Sequence, residues 1–296
     1  MRNKMKRLRV ACASTALVAF GVLVAAPGAS AHSGEYAEFN QCPSTNPSVA
    51  ACLYSKTTSG EVVLGNKKVP IVNPVVLQGG MKEPGAGNYA EFVGAVNGET
   101  LTKAPQPVPG GLSGLVNCKE IGSFIVRIAC ESVFENGLTG VNSTVELAKP
   151  ASAIKVNLGN ILFGNSEAGV ILPVKIHLEN PFLGSECYIG SSSSPIMWNL
   201  ATGKTSPPPP NKSISGNVGE VEFKGSDEGI LRLNGNSLVD NSWSAPSANG
   251  CGGWGVELIL DPIINASVGV PAAAGKNTAI LTGISDESPA SVVNEH

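Results

Sequence analysis

From Val62 onward, apolar and polar residues alternate in short runs broken by Gly, Pro and Asn, a pattern that predicts strands. The clearest run is Val170 to Leu178. Val170, Leu172, Val174, Ile176 and Leu178 share one face, while Ile171, Pro173, Lys175 and His177 share the other, with Glu179 next in that phase. A period of two is what a half-buried strand requires. Val141 to Leu147, Glu220 to Lys224, Leu231 to Leu233 and Val256 to Leu260 alternate in the same way. In the last of these, Val256, Leu258 and Leu260 are expected inside, with Glu257 and Asp261 outside. Lys68 to Leu77 is apolar at Val69, Ile71, Val75 and Val76 but interrupted by Pro70 and Pro74. Proline cannot donate to a sheet ladder, so this stretch is expected as an edge strand or an extended surface segment.

Cys118 to Phe134 reads two ways: Ile121, Ile125, Ile128 and Ser132 approximate a helical stripe, whereas Phe124, Val126 and Ile128 alternate as in a strand. The four prolines Pro207 to Pro210 predict a stiff extended connector, with a proline-recognition role as the alternative. Many short strands, abundant Gly and Pro, and widely spaced cysteines together predict a mostly β fold. A β-sandwich or a related Greek-key arrangement stapled by disulfides is expected. One β-rich domain with a core over about residues 38–284 is expected, with loose tails on either side.

The first 31 residues change the context. A basic start (Arg2, Lys4, Lys6, Arg7, Arg9), an apolar run from Ala16 to Ala26 and the small residues Ala29-Ser30-Ala31 have the layout of a cleaved signal peptide, with the cut before His32. Cys12 lies upstream of the apolar run, misplaced for a lipid anchor. The mature chain, residues 32–296, is expected to be secreted, extracellular or loosely held at the cell surface, with no transmembrane span. Removal of the leader leaves 15 basic against 23 acidic residues, a formal charge of −8. That balance argues against nucleic acid and anionic lipid, which call for clustered Lys and Arg. Six cysteines remain, and an even count in an oxidising compartment reads as disulfides. The favoured pairing is Cys42–Cys52, Cys118–Cys130 and Cys187–Cys251. A bond between Cys118 and Cys130 excludes one straight helix across them, because twelve helical residues span about 18 Å and a disulfide needs Cα atoms within about 7 Å.

Catalytic chemistry finds little support. His32 and His296 lie at the ends of the mature chain, which leaves His177 as the one internal histidine, on the polar side of its strand. No nucleophile elbow, zinc-binding helix or phosphate loop occurs, so no catalytic residue, metal or cofactor is assigned. Carboxylates alone can hydrolyse sugars, and Asp227, Glu228, Asp240, Glu257 and Asp261 are the residues such chemistry could draw on. Asp227, Glu228 and Asp240 could also supply oxygen ligands to calcium, although EF-hand spacing is absent.

The aromatic residues suggest a different site. Trp243 and Trp254 flank Cys251, and Tyr188 follows Cys187. A glycan site there would use Trp243, Trp254 and Tyr188 for stacking, and Asn241 and Asn249 for hydrogen bonds to hydroxyls. Packing of the tryptophans against the Cys187–Cys251 bridge is the competing reading. A noncatalytic extracellular or envelope-associated binding protein is therefore favoured, with a cell-envelope or extracellular polymer as its partner. A secreted carboxylate-dependent polysaccharide hydrolase and a structural surface protein are the alternatives.

The segment Leu178 to Gly190 (LENPFLGSECYIG), with Thr205 to Asn211, Asn236 to Asp240, Cys251-Gly252-Gly253 and Asn277 to Gly283, resembles uncharacterised secreted proteins of high-GC Gram-positive bacteria. The resemblance covers most of the mature chain. It implies export and a shared architecture, and carries over no functional residue.

Overall fold

Two long strands organise the computed structural model, which describes residues 31–111, 122–124, 127–128, 140–225, 227–252 and 255–296. In chain order the strands are β1 (Ala51–Leu64), β2 (Lys67–Pro70), β3 (Val75–Met81), β4 (Ala90–Gly94), β5 (Gln106–Pro107), β6 (Asn142–Leu147) and β7 (Lys155–Val156). The short helix α1 (Leu158–Leu162) precedes β8 (Val170–Glu179), β9 (Tyr188–Ile189), β10 (Ile196–Leu200), β11 (Glu220–Lys224), β12 (Ile230–Asp240) and β13 (Ala248–Asn249). The helix α2 (Glu257–Val268), the strand β14 (Thr278–Pro289) and the short helix α3 (Ala290–Val293) complete the chain. The main path of the sheet runs β11-β12-β14-β1-β3-β4-β7-β8-β6-β5, and its named strand pairs are antiparallel. The fold is mostly β, as the alternation predicts.

In one half, β1 pairs along one edge with β14 and along the other with β3 and then β2. In the other half, β8 has β7 and β6 on one edge and β10 and β9 on the opposite edge. Beyond β10, Ala201 and Val239 exchange backbone hydrogen bonds of 3.0 and 2.8 Å, which joins this half to β12. Where β1 crosses β14 the register shifts between Thr57 and Ser59, and the strands approach through two glycines. A Cβ at Gly60 would lie 1.9 Å from the Ile280 oxygen, and one at Gly283 1.9 Å from the Lys56 oxygen. Only glycine permits that crossing.

Three expectations are corrected. Within Lys68 to Leu77 the first part is the expected edge strand, since β2 pairs only with β1, whereas Val75 to Leu77 begin β3, which is internal, between β1 and β4. The prolines are tolerated because Pro70 ends β2 and Pro74 precedes β3. Val256 to Leu260 is not a strand but the start of α2. Leu260, Ile264 and Val268 repeat every four residues and pack inward, whereas Leu258 is 80% exposed. The folded unit also extends beyond residues 38–284. Tyr36 and Phe39, in the 3₁₀ turn Gly34–Phe39, share a buried cluster with Ala290 and Val293 of α3.

Cys42–Cys52 and Cys187–Cys251 are disulfide-bonded, with Cα atoms 5.6 and 4.1 Å apart. The expected Cys118–Cys130 bond and the helix-or-strand question over Cys118 to Phe134 lie outside the described residues, apart from a few isolated positions. No helix among the described residues is long and apolar enough to cross a membrane.

Candidate functional site

Alternation in the two halves of the sheet points apolar side chains into a common space. Leu53 of β1, Leu77 of β3, Leu233 and Leu238 of β12 and Leu281 of β14 line it from one half; Val170 and Leu172 of β8 and Trp198 and Leu200 of β10 line it from the other. Together they enclose a cavity of about 80 Å³. Apolar cavities of this order stay dry and accept small apolar guests.

The few polar groups on the cavity wall divide into satisfied and unsatisfied ones. Ser55 and Ser285, directly opposite each other on β1 and β14, share a 2.8 Å hydrogen bond, and Asn236 Nδ2 donates to Ser285 Oγ at 2.9 Å. Gln106 accepts from the Val72 and Asn73 amides at 2.8 and 2.9 Å and donates to the Asn73 and Ala104 carbonyls. Glu287 is different. It stands between Leu53 and Leu231 in the cross-strand row of β1, β14 and β12, and its carboxyl has no hydrogen bond or ion pair among the described residues. Burial alone pushes its pKa up. Glu287 also borders an open groove of about 240 Å³ at the end of the sheet, with Lys82, Glu83 and Asn88. It therefore sits where the cavity meets the outside.

The neighbouring residue, Asp286, points the opposite way. It is fully buried, pairs with both nitrogens of the Arg232 fork, and Arg232 also reaches Glu38 at 2.7 Å. Burial, then the nearby Asp286, pushes the Glu38 carboxyl up to about 7, with Arg232 opposing. This network clamps the N-terminal turn to the outer face of the sheet.

The polar side of β8 carries a second cluster. His177 is half-buried; its ring stacks on Tyr188 at 4.4 Å, with Nδ1 3.3 Å from Glu179. The Glu146 carboxylate lies 3.3 Å from Lys103 and 3.5 Å from Lys175. Lys175 Nζ is 3.7 Å from the centre of the Tyr188 ring. Burial, followed by the charge of Glu146, raises the Tyr188 pKa. Tyr188 and Asn249 are register partners on β9 and β13, and both line an open groove of about 370 Å³ with Lys175 and Glu186.

The structure thus brings Tyr188 and Asn249 together but not the rest of the expected glycan set. Trp243 is only 3% exposed; it packs edge-on against Trp198 at 6.0 Å and donates to the Asp240 carbonyl. A ring enclosed in this way presents no open face to a sugar. Asn241 is buried, with its amide bonded to the Lys212 carbonyl. Trp254 lies outside the described residues.

The carboxylates do not assemble either. Asp240 accepts from the Asn199 and Ser242 amides, Asp261 from Gly250 and Cys251, and Glu257 from Gly255. Asp227 holds Tyr36, with Glu228 beside it in a turn at positive φ. Asp227 lies in the turn before β12 and Asp240 at the far end of that strand, about 30 Å away at the rise of a strand, too far to share a calcium ion. No group of three or more His, Cys, Asp or Glu side chains among the described residues is placed to hold a metal ion.

Neither the cavity nor Glu287 was visible in the sequence. The only available signal was the alternation Ala279, Leu281, Gly283, Ser285, Glu287, which turns polar halfway along. Comparison of the chain with protein-family models, curated proteins and solved structures finds no match.

Proposed function

We propose that residues 32–296 form an exported, noncatalytic binding protein whose ligand site is the apolar cavity between the two halves of the sheet. The basic, apolar and small-residue segments of the first 31 residues support export. In this reading the halves face each other as the layers of a sandwich, and the Ala201–Val239 bridge holds them at one corner. The observation that carries the proposal is the enclosed apolar space to which strands of both halves contribute. Its volume is about half that of an apolar cavity that holds benzene, so it suits a short alkyl chain, and a single ring enters with some yielding of the wall. Burying about 200 Å² of such a guest at about 25 cal/mol per Å² gives roughly 5 kcal/mol, a dissociation constant of roughly 0.2 mM.

Titration of toluene, followed by NMR shifts of the cavity methyl groups, tests the proposal. Shifts confined to residues such as Leu53, Leu172 and Leu233 are expected, with loss of binding in a folded Val170→Phe protein. Absence of saturable shifts would overturn it.

A second reading, glycan binding outside the sheet, has one observation in its favour: Tyr188 and Asn249 share an open groove with Lys175 and Glu186. A pull-down on cell-envelope polymer, with Asn249→Ala as control, separates the two readings.

A further inference from the structure

Within the cavity that we read as the ligand site, we infer that Glu287 selects the ligand: a small molecule with an apolar body and a cationic or hydrogen-bond-donating head, with a primary amine as the best fit. The inference rests on the reading of the cavity as a binding site and adds the chemistry of the occupant.

The geometry argues for it in three steps. First, the Ser55, Ser285 and Gln106 side chains of the wall are engaged with protein groups, which leaves Thr57, the Trp198 N–H and Glu287 as its polar groups open to a ligand. Second, of the two acids among the described wall residues, Asp286 is held by Arg232, whereas Glu287, between Leu53 and Leu231 in the cross-strand row, has no hydrogen bond or ion pair to another described residue; the Trp198 Nε1 donor of the same wall is also without a partner. The cation sharing its groove, Lys82, is turned to Glu91 at 3.2 Å. Third, the position is unfavourable for the protein alone. Glu287 is partly buried, so its carboxylate loses part of its hydration without gaining a protein partner, and a leucine in the row Leu53–Glu287–Leu231 would extend the apolar wall. A donor supplied by a ligand would satisfy the carboxyl that the protein leaves unpaired.

The chemistry decides between head groups. A carboxylate in apolar surroundings gains most from a charged N–H donor, less from a hydroxyl, and repels an anion. Glu287 borders both the cavity and the open groove, so the head would lie at the mouth and the apolar body inside. An ammonium group at the mouth keeps part of its hydration and avoids the full cost of burial.

The test is a head-group series on one ring: toluene, benzyl alcohol, benzylamine and benzoate, titrated calorimetrically at about pH 8 into the wild-type chain and into Glu287→Gln and Glu287→Leu proteins. Benzylamine is expected to bind at least ten-fold more tightly than benzoate, with benzyl alcohol between them. Both variants, shown to be folded by circular dichroism, should lose the preference for benzylamine over benzoate. If toluene binds but benzylamine and benzoate do not differ, or if the preference survives in Glu287→Gln, the role of Glu287 is overturned while the cavity reading stands. If none of the four binds, the cavity reading fails and this inference fails with it.

Discussion

Replacing Glu287 with leucine should make the protein more stable, and the gain should grow with pH. The wild-type carboxyl lies between Leu53 and Leu231 without a partner among the described residues, and burial raises its pKa. A group with a raised folded pKa binds its proton more tightly in the folded than in the unfolded chain. The stability it contributes is complete below the unfolded pKa and is lost as pH rises through the folded one. At low pH, with the acid protonated, the substitution removes only a polar group. As pH rises and the acid ionises, it also removes a partly desolvated charge. A fully buried unpaired polar group costs about 1–3 kcal/mol; Glu287 is only partly buried, so a gain of about 1 kcal/mol is expected near pH 8 and less near pH 4. For a chain of this size, that corresponds to a rise in Tm of about 2–4 °C. Urea denaturation at both pH values, read by tryptophan fluorescence, measures it. A Leu variant less stable than wild type at pH 8 would show that the carboxylate has a stabilising partner, and the reasoning would fail.

Three further outcomes follow from the same structure. Glu38, whose carboxyl is pushed up to about 7 and whose side chain is 33% exposed, should cost stability as pH rises from about 4.5 to about 7; Glu38→Gln should flatten that slope by about 1 kcal/mol in denaturation curves. Arg232→Met leaves Asp286 buried without its guanidinium and should cost about 3–5 kcal/mol, measured by urea denaturation at neutral pH. Removing the Cys187–Cys251 bond, which spans 64 residues, by a double serine substitution should cost about 4 kcal/mol, and non-reducing peptide mapping of the wild type should recover that bond.

The strands with uninterrupted alternation were legible in the sequence: β8 and β11 fall where the pattern places them. The Cys42–Cys52 and Cys187–Cys251 pairs were legible as well, because local spacing left one long-range staple. The longest strands, β1 and β14, were not. Their inward positions mix Ser55, Thr57, Ser285 and Glu287 with leucines, and the bulge at Thr57 and Ser59 shifts the phase midway. A period of two cannot be followed across a bulge. The start of α2 is ambiguous in the sequence, because three alternating apolar residues fit a strand as well as a helix and the deciding residues Ile264 and Val268 lie further on. The closeness of Trp243 to Cys251 fits a core position better than a stacking face, and its ring closes the core against Trp198. Glu287 escaped notice for a physical reason. An acid near the end of a chain normally faces water, and only the cross-strand register shows that this one stands between two leucines.

Diffraction from crystals of residues 32–296 held under xenon pressure tests the central claim most directly, since xenon enters apolar cavities without the help of any polar group. A xenon peak bounded by Leu53, Leu172 and Leu233 is the predicted result. Crystals that take up xenon only at the surface, with the space between these residues filled by side chains, would contradict it.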